Sequence, residues 1–232
     1  MKISHLTAIS LLCFLSFSSV GLTAVPTIET FDNDVAGWVG NTTSSVVVHG
    51  ADGGNPGGHL LTRKDLSPPV FDIGALIDQA DNPNFGGDYG AAGIVRVSVD
   101  LNFMTDNVDA AWVRFRTGSA VNGWLYPLTN VFPTDAWNTY SVDFNPLWTD
   151  QQAQDAGWLT DQDIDAGADP SPNFVSVLED VDTAEVRIVS VGSTVVGIDN
   201  FGIFVPEPSS VLLLVLGALL LCSHGRLRSG KA

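Results

Sequence analysis

Along residues 94–104 apolar and polar side chains alternate without a break. Val95, Val97, Val99, Leu101 and Phe103 are separated by Arg96, Ser98, Asp100 and Asn102. A period of two sends successive side chains to opposite faces of a strand, so this stretch predicts a strand with one dry and one wet face. Residues 111–116 repeat the pattern, with Val113 and Phe115 inward and Arg114 and Arg116 outward. Further strands are predicted over 28–31, 45–49, from Leu60 onward, and over 122–128, 137–144, 183–191 and 195–204. Helical spacing is scarce. Phe174, Val177, Leu178 and Val181 fall at i, i+3, i+4 and i+7 and predict a helix over 173–181; residues 71–80 read as a second short one. The run Gly-Ala-Asp-Gly-Gly-Asn-Pro-Gly-Gly over 50–58 reads as loop. Residues 145–172 form a long acidic excursion, and such loops are either functional or mobile. Many short strands between Gly, Asn and Asp turns predict an all-β fold, a jelly-roll β-sandwich with one or two short helices.

The two ends break this pattern. Met1-Lys2, an apolar stretch to Val20 and a small-residue exit over 21–26 predict a secretory signal peptide, taken as residues 1–24. Residues 205–232 read Val-Pro-Glu-Pro-Ser-Ser, then an uncharged apolar run over 211–222, then a tail containing Arg226, Arg228 and Lys231. Pro206 and Pro208 lack an N–H and hold the backbone extended, so a helix starts only after them. The apolar run predicts a short transmembrane helix, and the cations after it favour the cytoplasmic side. Between the ends lies one domain, residues 25–204, long enough to bury its own core.

Pro206, Glu207 and Pro208, the apolar helix and the basic end, in that order at the C-terminus, resemble the PEP-CTERM sorting signal of Gram-negative bacteria. The resemblance implies cleavage near the Pro-Glu-Pro by exosortase, a membrane enzyme, with the C-terminal helix in the membrane before processing. It implies secretion across the inner membrane, then residence at the cell surface or in an extracellular matrix, and a link to exopolysaccharide or biofilm.

Charge narrows the partners. Residues 25–204 hold 25 of the 26 acids but only six bases: Arg63, Lys64, Arg96, Arg114, Arg116 and Arg187. Phosphate recognition needs a basic face, so nucleic acid is not an expected partner. Both cysteines, Cys13 and Cys222, lie in the ends, so no disulfide supports the domain.

The body also resembles laminin B and galactose-binding-like jelly rolls. The matching residues are Phe31-Asp-x-Asp-x-x-Gly-Trp38, Gly54-Asn-Pro-Gly-Gly-His-Leu60, Trp137 opening a strand, Val186-Arg-Ile188 and Ile198-Asp-Asn-Phe201. Such folds include carbohydrate-binding modules and adhesion domains. The resemblance implies one structural calcium ion between the first strand, the loop after the second and the last strand, with Glu29, Asp52, Asn55 and Asp199 as its ligands here. Asp161-x-Asp163-x-Asp165 has calcium-loop spacing without the glycine and distal glutamate of an EF-hand, and reads rather as a solvated acidic loop.

Trp124 and Tyr126, two apart on one strand, share a face and form a candidate glycan platform, with core packing as the weightier reading. Trp112, Trp148, Trp158 and Tyr89 are other available rings, whereas Trp38 and Trp137 are expected in the core. His49 and His59 flank the Gly-rich run, and no Gly-x-Ser-x-Gly elbow occurs. The sequence therefore reads as a non-enzymatic, exosortase-sorted cell-surface or matrix protein. A carbohydrate-binding module is the alternative, and a glycan-active hydrolase a distant one.

Overall fold

The structure, a computed structural model, describes residues 27–42, 45–64, 71–78, 81–118 and 122–206. Both terminal segments lie outside these residues, apart from Val205, which is partly exposed, and Pro206, which is exposed. Among the described residues no helix is long and apolar enough to cross a membrane.

Among the described residues twelve strands form two antiparallel sheets. They are β1 (Thr27–Glu29), β2 (Val39–Gly40), β3 (Val46–Gly54), β4 (Gly57–Lys64), β5 (Phe71–Asp78), β6 (Arg96–Phe103), β7 (Val108–Arg116), β8 (Trp124–Thr129), β9 (Trp137–Asp143), β10 (Leu159–Thr160), β11 (Thr183–Ser190) and β12 (Thr194–Phe204). Sheet I runs β3-β4-β12-β6-β9, with β1 also on β12; sheet II runs β10-β8-β7-β11-β5-β2. Among the same residues four short α-helices decorate them, α1 (Tyr89–Ala92), α2 (Asp150–Asp155), α3 (Asp161–Ile164) and α4 (Phe174–Glu179), with one 3₁₀ turn over Pro83–Phe85. This is a jelly-roll β-sandwich in which the first and last strands are neighbours, Thr27 opposite Ile203.

The alternation read from the sequence sets the core. Val97, Val99, Leu101 and Phe103 of β6 and Ala111, Val113 and Phe115 of β7 all point into the sandwich and are buried. Two aromatic clusters fill it. Trp38 packs edge-on against Phe31, Phe85 and Phe201, with centroids 5.7, 6.2 and 4.8 Å away. Trp158 is fully buried and packs on Phe115, Phe144 and Phe174.

Two expectations fail. Residues 71–80 are not a helix: β5 is a sheet strand between β11 and β2, and Ile73, Ala75 and Ile77 alternate inward. A short apolar run does not by itself separate buried strand from helix, and here neighbours on both sides supply the backbone partners. The Gly-rich run over 50–58 is not free loop either. It is the β3–β4 hairpin, with Gly50 opposite His59 and Gly54 opposite Gly57.

Candidate functional site

The period of two that buries Ala111, Val113 and Phe115 turns Trp112, Arg114 and Arg116 to the outer face of sheet II. Register then fixes their neighbours. Trp112 lies opposite Arg187 and Pro127, and Arg114 opposite Glu185 and Leu125. On this face sits a charge network. Arg114 donates from Nη1 to Glu185 Oε2 at 3.1 Å and from Nη2 to Asp161 Oδ2 at 2.7 Å. Arg187 donates from Nη1 to Asp161 Oδ1 at 3.0 Å, and Asn41 Nδ2 to Glu185 Oε1 at 2.9 Å. Arg116 Nε stands 3.8 Å from Glu185. The guanidinium of Arg187 lies over the ring of partly exposed Trp112, 5.6 Å from its centroid.

Asp161, Glu185 and Arg114 are only 5%, 2% and 8% exposed. Burying such charges gains little stability over an apolar replacement, because desolvation offsets most of the attraction. What the network does supply is position: two guanidinium forks and an indole are held in one arrangement before any ligand arrives.

The acidic excursion provides the keystone. Thr160 caps α3 through a capping box with Asp163, which places Asp161 over the sheet, where it also accepts the Gly123 N–H at 2.7 Å. Several bonds pin the excursion. The Phe174 N–H donates to Asp150 Oδ1 at 2.7 Å, Ser171 Oγ to the Gly123 carbonyl at 2.8 Å, and Trp124 Nε1 to the Pro172 carbonyl at 2.8 Å. Asp161, Asp163 and Asp165 therefore serve three separate internal purposes, an ion pair, a helix cap and a turn.

The predicted platform of Trp124 and Tyr126 is corrected. The two rings do share a face, but it is the core face. Register sets them beside Phe115 and Val113, Trp124 is 1% exposed against Phe174, and Tyr126 packs on Trp158. The ring that faces out is Trp112, and the alternation of β7 already implied it.

Trp137 is likewise not in the core. It opens β9 on the outer face of sheet I, opposite Asn102, which in turn lies opposite Gly197. Its indole reaches Gly197 all the same: a Cβ there would lie 2.8 Å from Cη2. Strands stand about 4.8 Å apart, so the indole lies across the sheet rather than standing off it. Its Nε1 donates to the Gly53 carbonyl at 2.8 Å, and His59 meets it edge-on with centroids 5.5 Å apart. Neither ring nitrogen of His59 has a hydrogen-bond partner among the described residues. Burial, and then His49, push its pKa down from 6.5.

Next to Trp137 is the junction of first strand, hairpin and last strand where the calcium ligands were expected. Phe31, at φ 50°, turns the chain after β1 so that Asp32 Oδ1 accepts the Gly58 N–H at 3.2 Å. Asn55 donates its N–H to Asp199 Oδ2 at 2.6 Å and its Nδ2 to Asp100 Oδ2 at 3.1 Å. Asn200 donates Nδ2 to the same Asp100 oxygen at 2.7 Å and its N–H to Asp199 Oδ1 at 2.7 Å. Asn55 and Asp199 thus come together as expected. Glu29 instead accepts the Phe31 N–H, and Asp52 is exposed in the hairpin. Calcium asks for six to eight oxygens, whereas these carboxylates are turned onto amide hydrogens. Among the described residues no group of three or more His, Cys, Asp or Glu side chains is placed to hold a metal. The donor set fits an amide-closed junction better than an ion's shell. Burial, above all, raises the pKa of Asp199; the backbone bonds oppose this, and Asp100 and Asp32 add to it.

No family model and no curated protein matches the chain. Solved structures do. The chain is similar to the family 11 carbohydrate-binding module from Clostridium thermocellum in complex with a β-1,3-1,4-mixed-linked tetrasaccharide, at 14% identity and TM-score 0.50, over 78% of this chain and 95% of that one. It is also similar to the family 11 module of the cellulosomal cellulase Lic26A-Cel5E of the same organism, at 13% identity, TM-score 0.50 and the same coverages. At such identities the likeness establishes the sandwich architecture, not the ligand.

Proposed function

We propose that the domain is a non-catalytic carbohydrate-binding module that contacts polysaccharide with the outer face of sheet II, in a protein secreted to the cell surface or extracellular matrix. The fold it shares with carbohydrate-binding modules supports this reading, and the Trp112–Arg187–Asp161–Arg114–Glu185 arrangement carries it. Sugars present hydroxyl rims and C–H faces. Partly exposed Arg187 and Trp112 supply a fork donor and an apolar ring for these two features, and the buried Arg114, Asp161 and Glu185 hold them in place. The two carboxylates of this network, Asp161 and Glu185, are both engaged by Arg114, so the pair is built to orient rather than to exchange protons as a glycosidase acid and base do.

Delivery belongs to the same proposal. The signal peptide sends the chain across the inner membrane, and the Pro206-Glu207-Pro208 signal passes it to exosortase. The domain then holds exopolysaccharide in a matrix or biofilm. Affinity electrophoresis of the full-length protein through gels containing mixed-linked β-glucan or xylan tests the binding. Retardation by at least one neutral polymer is expected, with Trp112→Ala weakening it about tenfold, near 1.4 kcal/mol. Equal mobility of parent and variant in every gel would refute the assignment of this face.

A further inference from the structure

We propose that the outer face of sheet I is a second sugar-contact surface, on which Trp137 stacks against the apolar face of an uncharged pyranose, so that one domain holds two polysaccharide segments. The ligand class rests on the reading above; the surface does not, because it lies on the other sheet and shares no residue with the first.

Three observations carry it. The indole of Trp137 crosses the strand of Asn102, so that Cη2 and Cζ2 stand over Gly197 while the residue stays partly exposed. Gly197 is what permits this, since any side chain there would push into Cη2 and Cζ2. The ring is also fixed at its edges, by the bond from Nε1 to the Gly53 carbonyl and by the ring of His59. A large aromatic laid across a sheet, held at its edges and partly exposed, offers ring surface to the C–H face of a sugar with little ordering left to do. The chemistry of the border selects the sugar. Asp100 and Asp199 lie beside Asn102 and Gly197 on this face, exposed Asp52 is in the hairpin, and exposed Thr139 follows Trp137 by two. Asp100 and Asp199 are buried and already bonded to amides, so the exposed Asp52 carboxylate and Thr139 hydroxyl are the groups left to meet sugar hydroxyls, while the acidic border repels uronic or sulfated polymers.

Binding and bridging of mixed-linked β-glucan by the full-length protein test this. Bridging is read as the rise in low-shear viscosity of a glucan solution. Trp137→Ala should weaken binding about tenfold and abolish the rise, and Gly197→Val, which keeps the ring but lifts it, should do the same. Thermal melts identify any variant that does not fold, and Trp137→Phe, which keeps a ring but loses the Gly53 bond, should retain most of the binding. Parental affinity and bridging in folded Trp137→Ala and Gly197→Val, with Trp112→Ala impaired, would overturn this surface and leave the sheet II reading standing. Loss in Trp137→Ala with Trp112→Ala at parental affinity would support it and overturn that reading. A parent that binds no neutral polymer overturns both.

Discussion

The two outer faces of the sandwich each display one tryptophan, and they use it differently. On sheet II the ring of Trp112 receives a guanidinium, and its surroundings are an ion network whose centre, Arg114, Asp161 and Glu185, is buried. On sheet I Trp137 lies over a glycine, and its surroundings are neutral amides, an unpartnered imidazole and a carboxylate pair tied to amide hydrogens. The difference teaches that the residue on the neighbouring strands, not the tryptophan, sets the posture of an exposed ring. An arginine occupies its face, whereas a glycine lets it lie down. It also sets what each face can lose. The first depends on electrostatic partners, the second on a missing side chain.

The largest expected effect breaks the sheet II face alone. Asp161→Ala leaves buried Arg114 and partly buried Arg187 without their shared carboxylate, and removing one partner of a buried pair costs about 3–5 kcal/mol. For a domain of this size the melting midpoint should fall by roughly 10 °C. A fall of a degree or two, measured by circular dichroism, would show that the network is solvated and replaceable.

An intermediate effect belongs to sheet I. Because the folded state lowers the pKa of His59, the contribution of its neutral ring is fully present above pH 6.5. It is lost as the pH falls below that value, through the folded-state pKa. Asp199 works in the opposite sense at lower pH, since its raised pKa favours the protonated form in the fold. The midpoint of the parent should therefore drop between pH 7.5 and 5.5 by more than that of His59→Gln. Identical drops in the two proteins would remove His59 from the account.

The smallest effect concerns the junction beside Trp137. Anything that binds only the folded form raises the midpoint. With Asp100 and Asp199 already bonded to Asn55 and Asn200, millimolar calcium or a chelator should move it by no more than about 1 °C on that linkage. A rise of several degrees with calcium would mean that an ion displaces those amides.

Much of the sandwich was legible because its signals are local. The alternation of β6 and β7, and the i, i+3, i+4 pattern of α4, each report on a single element, and all three held. Register is not local. Whether Trp124 faces in or out depends on pairing with Phe115, and the position of Trp137 depends on Gly197, some sixty residues later. The glycines of the β3–β4 hairpin looked unstructured because their order comes from outside, through Asp32, Trp137 and Asp199. Asp161 was visible only as one acid in an acidic run. Its role appears once Arg114 and Arg187, on two adjacent strands, meet above the same face.

The seating of β12 has a mechanical consequence. This strand is flanked by β6 on one side and by β4 and β1 on the other. Traction applied beyond Phe204 enters the domain along the axis of that strand and loads its ladders in shear, many bonds at once. A chain hauled from that end would resist far more force than one peeled from the short outer strand β10.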